Sequence, residues 1–195
     1  MPKTLSPADV EAFRTRLCDV AEKLFAAHGP DGVTLREMAE PLGVSSMTPY
    51  RYFKDKDAIL AAVRTRAFNR FAAAMESAGH GSKAQSGNAY IDFALANPAA
   101  YRMMFDVSQP TYADYPDLVK AMERARLTMG DGLRHLAADG RYQGDVELAA
   151  YVFWSAVHGA VMLELAGLLE GSKFDARKIA KPAVDALGKH FGLTA

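Results

Sequence analysis

The chain has little cysteine: Cys18 is the only one among its 195 residues. A single thiol cannot form an intramolecular disulfide, which excludes a disulfide-stabilised secreted scaffold and is typical of a reducing compartment. Cys18 lies in a helical pattern of apolar residues that includes Leu17 and Val20. We therefore predict that it is a small buried hydrophobe rather than a reactive thiol, which would need exposure and a nearby cation.

The chain also lacks an excess of charge of either sign. Its 23 Lys and Arg residues balance 23 Asp and Glu residues, so the formal net charge is zero. Because there is no overall basic field, any binding to nucleic acid must depend on a local cluster of cations. Half of the residues are hydrophobic, which favours a folded protein with a substantial core.

Catalytic and metal-binding motifs are missing as well. The sequence contains no GxSxG, HExxH, P-loop or GxGxxG pattern, and the GHGSK stretch at 79–83 lacks the strand and spacing of a phosphate-binding loop. The histidines have no metal-ligand spacing; they are His28, His80, His135, His158 and His190. We predict that the protein is not an enzyme and that it uses neither a metal nor a cofactor.

No long apolar segment of the secretory type occurs near the N-terminus, which predicts a cytoplasmic protein. The most apolar stretch, residues 148–171, contains His158 and Glu164 as well as glycines. A membrane span is conceivable for this stretch, but a helix buried in an interface explains the charged and polar residues better.

What the chain does have is helical periodicity almost throughout, with no segment that alternates with the period of two typical of strands. The predicted fold class is therefore all-α, without internal repeats. Ser6 and Pro7 should begin a first helix that ends at Gly29. Later helices are expected to be separated by a linker at 77–87, a break at Asn97 and Pro98, a loop at 109–116, and Gly140.

The segment after the first helix differs from the rest in its short helices and tight turn. Thr34 and Glu37 make a capping box for a short second helix, and Gly43 supplies a backbone that can turn sharply. Ser45 or Ser46 can cap a third helix. Together these features predict a helix-turn-helix, whose last helix has the right size for a DNA major groove.

The third helix would contain Pro49 in its first turn, where the missing amide costs little, and Asp55 can cap a fourth helix. We predict that Phe53 packs into the core. Over residues 45–56 the only acidic residue is Asp55, and it opposes three cations: Arg51, Lys54 and Lys56. Binding to DNA should therefore be sensitive to salt.

Residues 34–60, TLREMAEPLGVSSMTPYRYFKDKDAIL, resemble the DNA-binding signature of TetR-family transcriptional regulators. The resemblance, together with the local charge, implies a set of DNA-contacting residues: Thr34, Arg36, Ser45, Ser46, Met47, Thr48, Tyr50, Arg51, Tyr52, Lys54 and Lys56. By the resemblance, Ser46, Met47 and Tyr50 are base readers, while Thr48, Tyr52 and Lys56 contact phosphates. The alternatives are that the two tyrosines are partly buried core aromatics and that Lys54 and Lys56 are merely solvated.

The C-terminal part resembles the subgroup of that family with a Trp, His, Gly pattern, here Trp154, His158 and Gly159. The resemblance implies a helical bundle that dimerises through its last two helices and encloses an effector pocket. Methionine and aromatic side chains adapt to apolar ligands, and they give the candidate lining: Tyr101, Met104, Phe105, Met122, Met129, Trp154, His158 and Met162. For each of these residues the alternative is a close-packed core.

These observations predict three segments: a DNA-binding domain at 1–54, a connecting helix at 55–78, and a ligand-binding and dimerisation domain at 79–195. The predicted function is a homodimeric regulator, most simply a repressor released from a palindromic DNA operator by a small apolar effector. An activator is a variant of the same hypothesis. The alternative from another class is a helical small-molecule-binding protein without DNA-binding function.

Overall fold

The structure is a computed structural model that describes residues 6–79, 83–106 and 112–193. Its regular elements within these ranges are helical, which confirms the predicted all-α class. The eight α-helices of the described residues are α1 (Pro7–His28), α2 (Leu35–Ala39), α3 (Lys56–Ala78), α4 (Lys83–Ala96), α5 (Pro98–Met104), α6 (Pro116–Ala138), α7 (Val146–Leu165) and α8 (Ala176–His190). Short 3₁₀ helices occur at Glu40–Leu42, Pro49–Arg51 and Tyr112–Asp114.

Three helices begin at the capping residues that the sequence indicates. Ser6 caps α1 and Thr34 caps α2, each through a complete capping box. The backbone amide of Ala58 donates to the Asp55 carboxylate at 2.8 Å, which caps α3. Gly43 has φ of 66°, a left-handed conformation that other residues adopt at a cost, and it makes the predicted turn.

The chain divides into two compact units. The first comprises residues 1–67 and 99–121, and the second comprises residues 68–98 and 122–195. Both α3 and α6 therefore contribute residues to both units. The predicted segment boundaries after residues 54 and 78 stay a prediction, because compact units and functional domains are different divisions of a chain.

The core of the first unit is built from the apolar faces of α1, α2, α3 and α5. Phe13, Leu17 and Phe25 of α1 pack with Phe53 and with Met103 of α5. Phe53 and Cys18 are both buried, as predicted, and burial raises the pKa of the Cys18 thiol.

The second unit packs α7 against α8 and against α4. Phe71 of α3 meets the rings of Tyr90 and Phe93 edge-on, each at 5.2 Å between centroids. Arg124 of α6 makes a two-pronged ion pair with Glu76 of α3, with nitrogen to oxygen distances of 2.8 and 2.6 Å. These contacts link five helices: α3, α4, α6, α7 and α8.

Two local predictions are wrong. The third helix is not α-helical: from Ser45 to Phe53 the chain forms turns and the 3₁₀ helix Pro49–Arg51. The amides of this stretch bond mainly three residues back, as in a 3₁₀ helix: Thr48 donates to the Ser45 carbonyl at 2.8 Å and Tyr52 to the Pro49 carbonyl at 2.9 Å.

The linker at 77–87 is shorter than predicted. Helix α3 continues to Ala78 and α4 already begins at Lys83, while residues 80–82, which include His80, lie outside the described residues. Helix α4 tolerates Gly87 because its buried side chains, such as Tyr90 and Ile91, pack within the second unit.

Candidate DNA-binding surface and effector region

We name residues 45–53 the recognition segment, since they follow the Gly43 turn at the position of the second helix of a helix-turn-helix. The segment is anchored at its end. Phe53 is only 6% exposed, and the Arg14 guanidinium of α1 lies 4.1 Å above the centre of its ring. Arg14 also donates a hydrogen bond of 2.6 Å to the carbonyl of Tyr52.

Sequence reasoning missed Arg14. It precedes Leu17 and Cys18 by three and four residues, so it lies on the face of α1 that is otherwise buried. The available signal was a charged residue on the otherwise apolar face of α1. The ring of Tyr52 is half-buried and stacks on Phe13 with 4.2 Å between centroids, which agrees with the alternative that this tyrosine is a partly buried core aromatic.

The leading end of the recognition segment faces solvent. Met47 is 66% exposed and Tyr50 is 52% exposed, although both are large side chains with apolar parts. Thr48 is half-buried, and the remaining predicted contact residues of this region are exposed: Thr34, Arg36, Ser45, Ser46, Arg51 and Lys54. The arrangement combines exposed hydroxyl, guanidinium and ammonium groups on a segment whose other end is fixed in the core.

Two elements meet at this surface. Arg36 of α2 and Ser46 of the recognition segment line one open hollow of about 350 Å³, together with Glu40 and Val44. The hollow places a guanidinium and a hydroxyl within reach of one ligand, with a carboxylate beside them. The guanidinium and the hydroxyl suit contacts with phosphates or base edges, whereas the Glu40 carboxylate would repel a phosphate.

Lys56 and Thr34 are predicted contact residues whose side chains donate short hydrogen bonds within the protein. The ammonium group of Lys56 donates to the Pro30 carbonyl at 2.8 Å. The Thr34 hydroxyl donates to the Glu37 carboxylate at 2.7 Å, and this hydrogen bonding lowers the pKa of Glu37. Both groups stabilise the loop and helix before the Gly43 turn, and their roles in contacting DNA stay predictions.

Three of the predicted effector residues belong to the first unit. Tyr101 and Met104 are fully buried, and Phe105 is half-buried. The rings of Tyr101 and Phe105 lie 4.9 Å apart. The carbonyl of Met104 accepts a hydrogen bond of 3.2 Å from the buried Arg64 of α3, whose pKa is lowered by burial.

The other five belong to the second unit, where Tyr90 of α4 joins two of them. The indole nitrogen of Trp154 donates to the Tyr90 hydroxyl at 2.8 Å, and the same hydroxyl lies 3.1 Å from Nδ1 of His158. Indole is only a donor, so the hydroxyl accepts from Trp154 and has its own proton available for His158. This arrangement favours a neutral His158 with its proton on Nε2.

The remaining lining candidates are spread over the faces of α6 and α7. Met129 and Trp154 share an open hollow of about 270 Å³ between these helices, with Arg126 and Tyr151 also on its wall. Met122 is half-buried and Met162 is exposed. Whether any of the eight candidates contacts an effector stays a prediction.

The position of His158 leads to a prediction about pH. Burial lowers its pKa below the ordinary 6.5, so the unfolded chain binds a proton at a higher pH than the folded chain does. The free energy of unfolding should therefore fall as the pH drops through about 6.5 and below. Denaturant unfolding between pH 7.5 and 5 measures this effect, which should be smaller in His158→Asn.

The matched control is His28→Asn, because His28 is exposed at the end of α1. This variant should keep the pH dependence of the wild-type protein. If His158→Asn also kept it in full, burial of His158 would not be its cause.

One face of α7 is largely apolar and is exposed within the described part of the protomer. We name it the α7 stripe: Leu148, Tyr151, Ser155, Gly159 and Met162, which recur every three or four residues and are all exposed. A side chain added at Gly159 would meet no atom within 4 Å. By length and composition alone α7 could cross a membrane, and only 22% of its most apolar window is buried.

No group of three His, Cys, Asp or Glu side chains within the ranges 6–79, 83–106 and 112–193 is placed to hold a metal ion. The geometry of the first unit is that of a helix-turn-helix whose recognition segment has an exposed leading end.

Residues 17–63 match the family described as bacterial regulatory proteins, tetR family. Residues 83–187, more than half of the chain, match the tetracyclin repressor-like C-terminal domain. The chain belongs to the TetR family of transcriptional regulators. As a TetR-family member it is a DNA-binding regulator and not an enzyme.

Other TetR-family and related proteins resemble it over most of its length. The HTH-type transcriptional regulator Rv1816 of Mycobacterium tuberculosis is 24% identical, with 80% of this chain and 82% of that protein covered. A solved structure from Rhodococcus sp. RHA1, described as having unknown function, has a TM-score of 0.79 at 25% identity and covers 98% of this chain and 99% of its own. A bacterial regulatory protein in the tetR family from Rhodococcus RHA1 has a TM-score of 0.69 at 21% identity, with 98% and 100% covered, which shows a shared fold.

Proposed function

We propose that this TetR-family regulator is a cytoplasmic repressor that binds a palindromic operator as a homodimer and releases it when a small apolar effector binds. The observation that carries the proposal is the recognition segment. Its leading end exposes Met47 and Tyr50, while Phe53 holds its other end in the core. An exposed reading surface on a fixed base is what recognition in a major groove requires.

The α7 stripe supports the homodimer. Exposed apolar residues along one helix favour association with a partner, and most soluble oligomers pair identical surfaces about a two-fold axis. Gly159 lies within the stripe and would let two α7 helices approach closely. A two-fold dimer presents two recognition segments, and the matching operator is then a palindrome with one half-site for each.

The position of α3 supports release by an effector. This helix begins at Lys56, three residues after the recognition segment, and continues to Ala78 in the second unit. An effector that binds among the C-terminal helices and favours a different position of α3 would move the recognition segment away from its productive spacing. Linkage then requires that the operator weaken effector binding by the same factor.

The test is selection of bound DNA from a random pool by the full chain, followed by a screen of apolar small molecules for release. A palindromic consensus that is released by a compound, with affinity for that compound reduced by the operator, is the expected result. If no sequence is preferred but an apolar ligand binds, the protein is a small-molecule binder without DNA-binding function. Tighter binding to DNA with the compound would instead contradict release by an effector.

A prediction about salt follows from Lys54, which is exposed and reaches Asp55 only at 3.9 Å. If it contacts a phosphate, Lys54→Gln should weaken binding similarly for every DNA sequence. It should also reduce the slope of log affinity against log salt by about 1 per protomer. Fluorescence anisotropy at several salt concentrations measures both effects.

The control for this prediction is Lys181→Gln, which removes the same charge from the exposed side of α8 in the second unit. Its salt slope should equal that of the wild-type protein. Equal slopes for all three proteins would mean that Lys54 is merely solvated.

A further inference from the structure

Met47 is exposed in a way that other methionines of its unit are not. Met38, Met103 and Met104 are buried, whereas Met47 is the most exposed large apolar residue among the described residues of the first unit. Its exposed side chain is a long thioether that gains nothing from water. A contact with an apolar group outside the protomer would remove this surface from solvent.

The backbone that carries Met47 is fixed by its neighbours. The Met47 amide donates to the Ser45 hydroxyl at 3.3 Å, and the Thr48 amide donates to the Ser45 carbonyl at 2.8 Å. Pro49 follows and is buried, with a ring that fixes its own backbone angle. The side chain of Met47 therefore leaves the tip of a tight turn in a defined direction, although the side chain itself is flexible.

The chemistry of the thioether restricts what it can recognise. Ser46, Thr48 and Tyr50 carry hydroxyls that can exchange hydrogen bonds with base edges or phosphates, but Met47 has no donor and only a weak acceptor. In the major groove, the edges of guanine, cytosine and adenine present hydrogen-bonding groups, and thymine alone adds an apolar group, its C5 methyl. A methionine at the tip therefore discriminates bases chiefly by contact with that methyl.

We propose that Met47 is a specificity-determining residue that selects thymine at one position of each half-site by contact with the C5 methyl group. The inference rests on the proposed function, since it needs an operator with defined half-sites. Beyond the proposed function, the inference states that Met47 recognises thymine and that the contact is with the C5 methyl group.

The experiment replaces thymine by deoxyuridine, which removes only the C5 methyl. Starting from the operator selected by the wild-type protein, each symmetric pair of thymines is replaced in turn and the affinity is measured at constant salt. Burial of one methyl corresponds to about fourfold in affinity, so replacement in both half-sites should weaken binding by about 15-fold at one pair. At other thymine pairs the effect should be smaller.

Two variants assign the effect to Met47. Met47→Leu keeps an apolar side chain and should retain sensitivity to that methyl. Met47→Gln keeps the length but adds an amide that pairs with adenine, so it should lose the sensitivity at that pair only. Both substitutions are at an exposed position, and thermal unfolding should confirm that stability is unchanged.

The outcomes separate the two proposals. A selected operator with no thymine pair sensitive to deoxyuridine overturns the assignment of Met47 and leaves the repressor proposal standing. The same holds if Met47→Gln keeps the full sensitivity, because another residue then reads the methyl. If no sequence is selected at all, the operator itself is absent and both proposals fail.

Discussion

Replacing Phe53 with alanine should destabilise the first unit by about 3 to 5 kcal/mol and abolish binding to DNA. Phe53 packs with Phe13, Leu17 and other buried residues, and its ring supports the guanidinium of Arg14. Removing the ring leaves a cavity in the core and an arginine without the surface on which it lies. The end of the recognition segment then loses its anchor, because the same arginine holds the Tyr52 carbonyl.

The matched comparison is Tyr50→Ala, three residues earlier in the same segment. Tyr50 is exposed, so this change should alter stability by no more than about 0.5 kcal/mol while still weakening binding to DNA. Thermal unfolding followed by circular dichroism and gel-shift titration measure the two properties. A Phe53→Ala protein with the stability of the wild type would mean that the segment does not depend on this anchor.

Local signals allowed much of the fold to be predicted from the sequence. Ser6, Thr34 and Asp55 cap helices because their side chains accept hydrogen bonds from amides three residues later, and such local bonds can be predicted without the tertiary structure. Gly43 turns the chain for a reason that is equally local, its positive φ. The helix-turn-helix was identified from these signals together with the family resemblance.

The recognition segment itself was predicted less well. The expectation that proline is harmless in a first helical turn assumes that the helix continues beyond it, but here only three residues separate Pro49 from Phe53. Phe53 must enter the core, so the chain forms 3₁₀ turns that end there instead of an α-helix. Whether the segment forms an α-helix or 3₁₀ turns depends on where Phe53 packs in the tertiary structure. The hydrophobic periodicity of the sequence does not predict that position.

Contacts between distant residues could not be predicted either. Arg14 bonds the Tyr52 carbonyl across 38 residues, and Tyr90 joins His158 across 68. No spacing rule pairs such residues, because their neighbourhood is created by the packing of whole helices. The sequence singled out Trp154 and His158 through the family pattern, but it gave no sign that Tyr90 connects them.

If the proposed homodimer forms through the α7 stripe, a glutamate in place of Gly159 should convert it into monomers and weaken operator binding on the order of 100-fold or more. The second recognition segment of a dimer binds at a high effective concentration, and this advantage disappears when the partner is lost. Within the described protomer a side chain at Gly159 meets no atom within 4 Å, so the fold should tolerate the change. At a close contact between two α7 stripes the same side chain would place two carboxylates in an apolar interface.

Gly132 provides the control, because it is also exposed in the interior of a helix and a side chain there also meets no atom within 4 Å. Gly132→Glu on α6 should leave the mass in sedimentation equilibrium and the affinity for the operator unchanged. Equal helical content of the two variants by circular dichroism would show that the protomer fold is intact and that the effect of Gly159→Glu comes from association. If Gly159→Glu remained a dimer with full affinity, the α7 stripe would not form the interface, and its exposed apolar side chains would have to serve another partner.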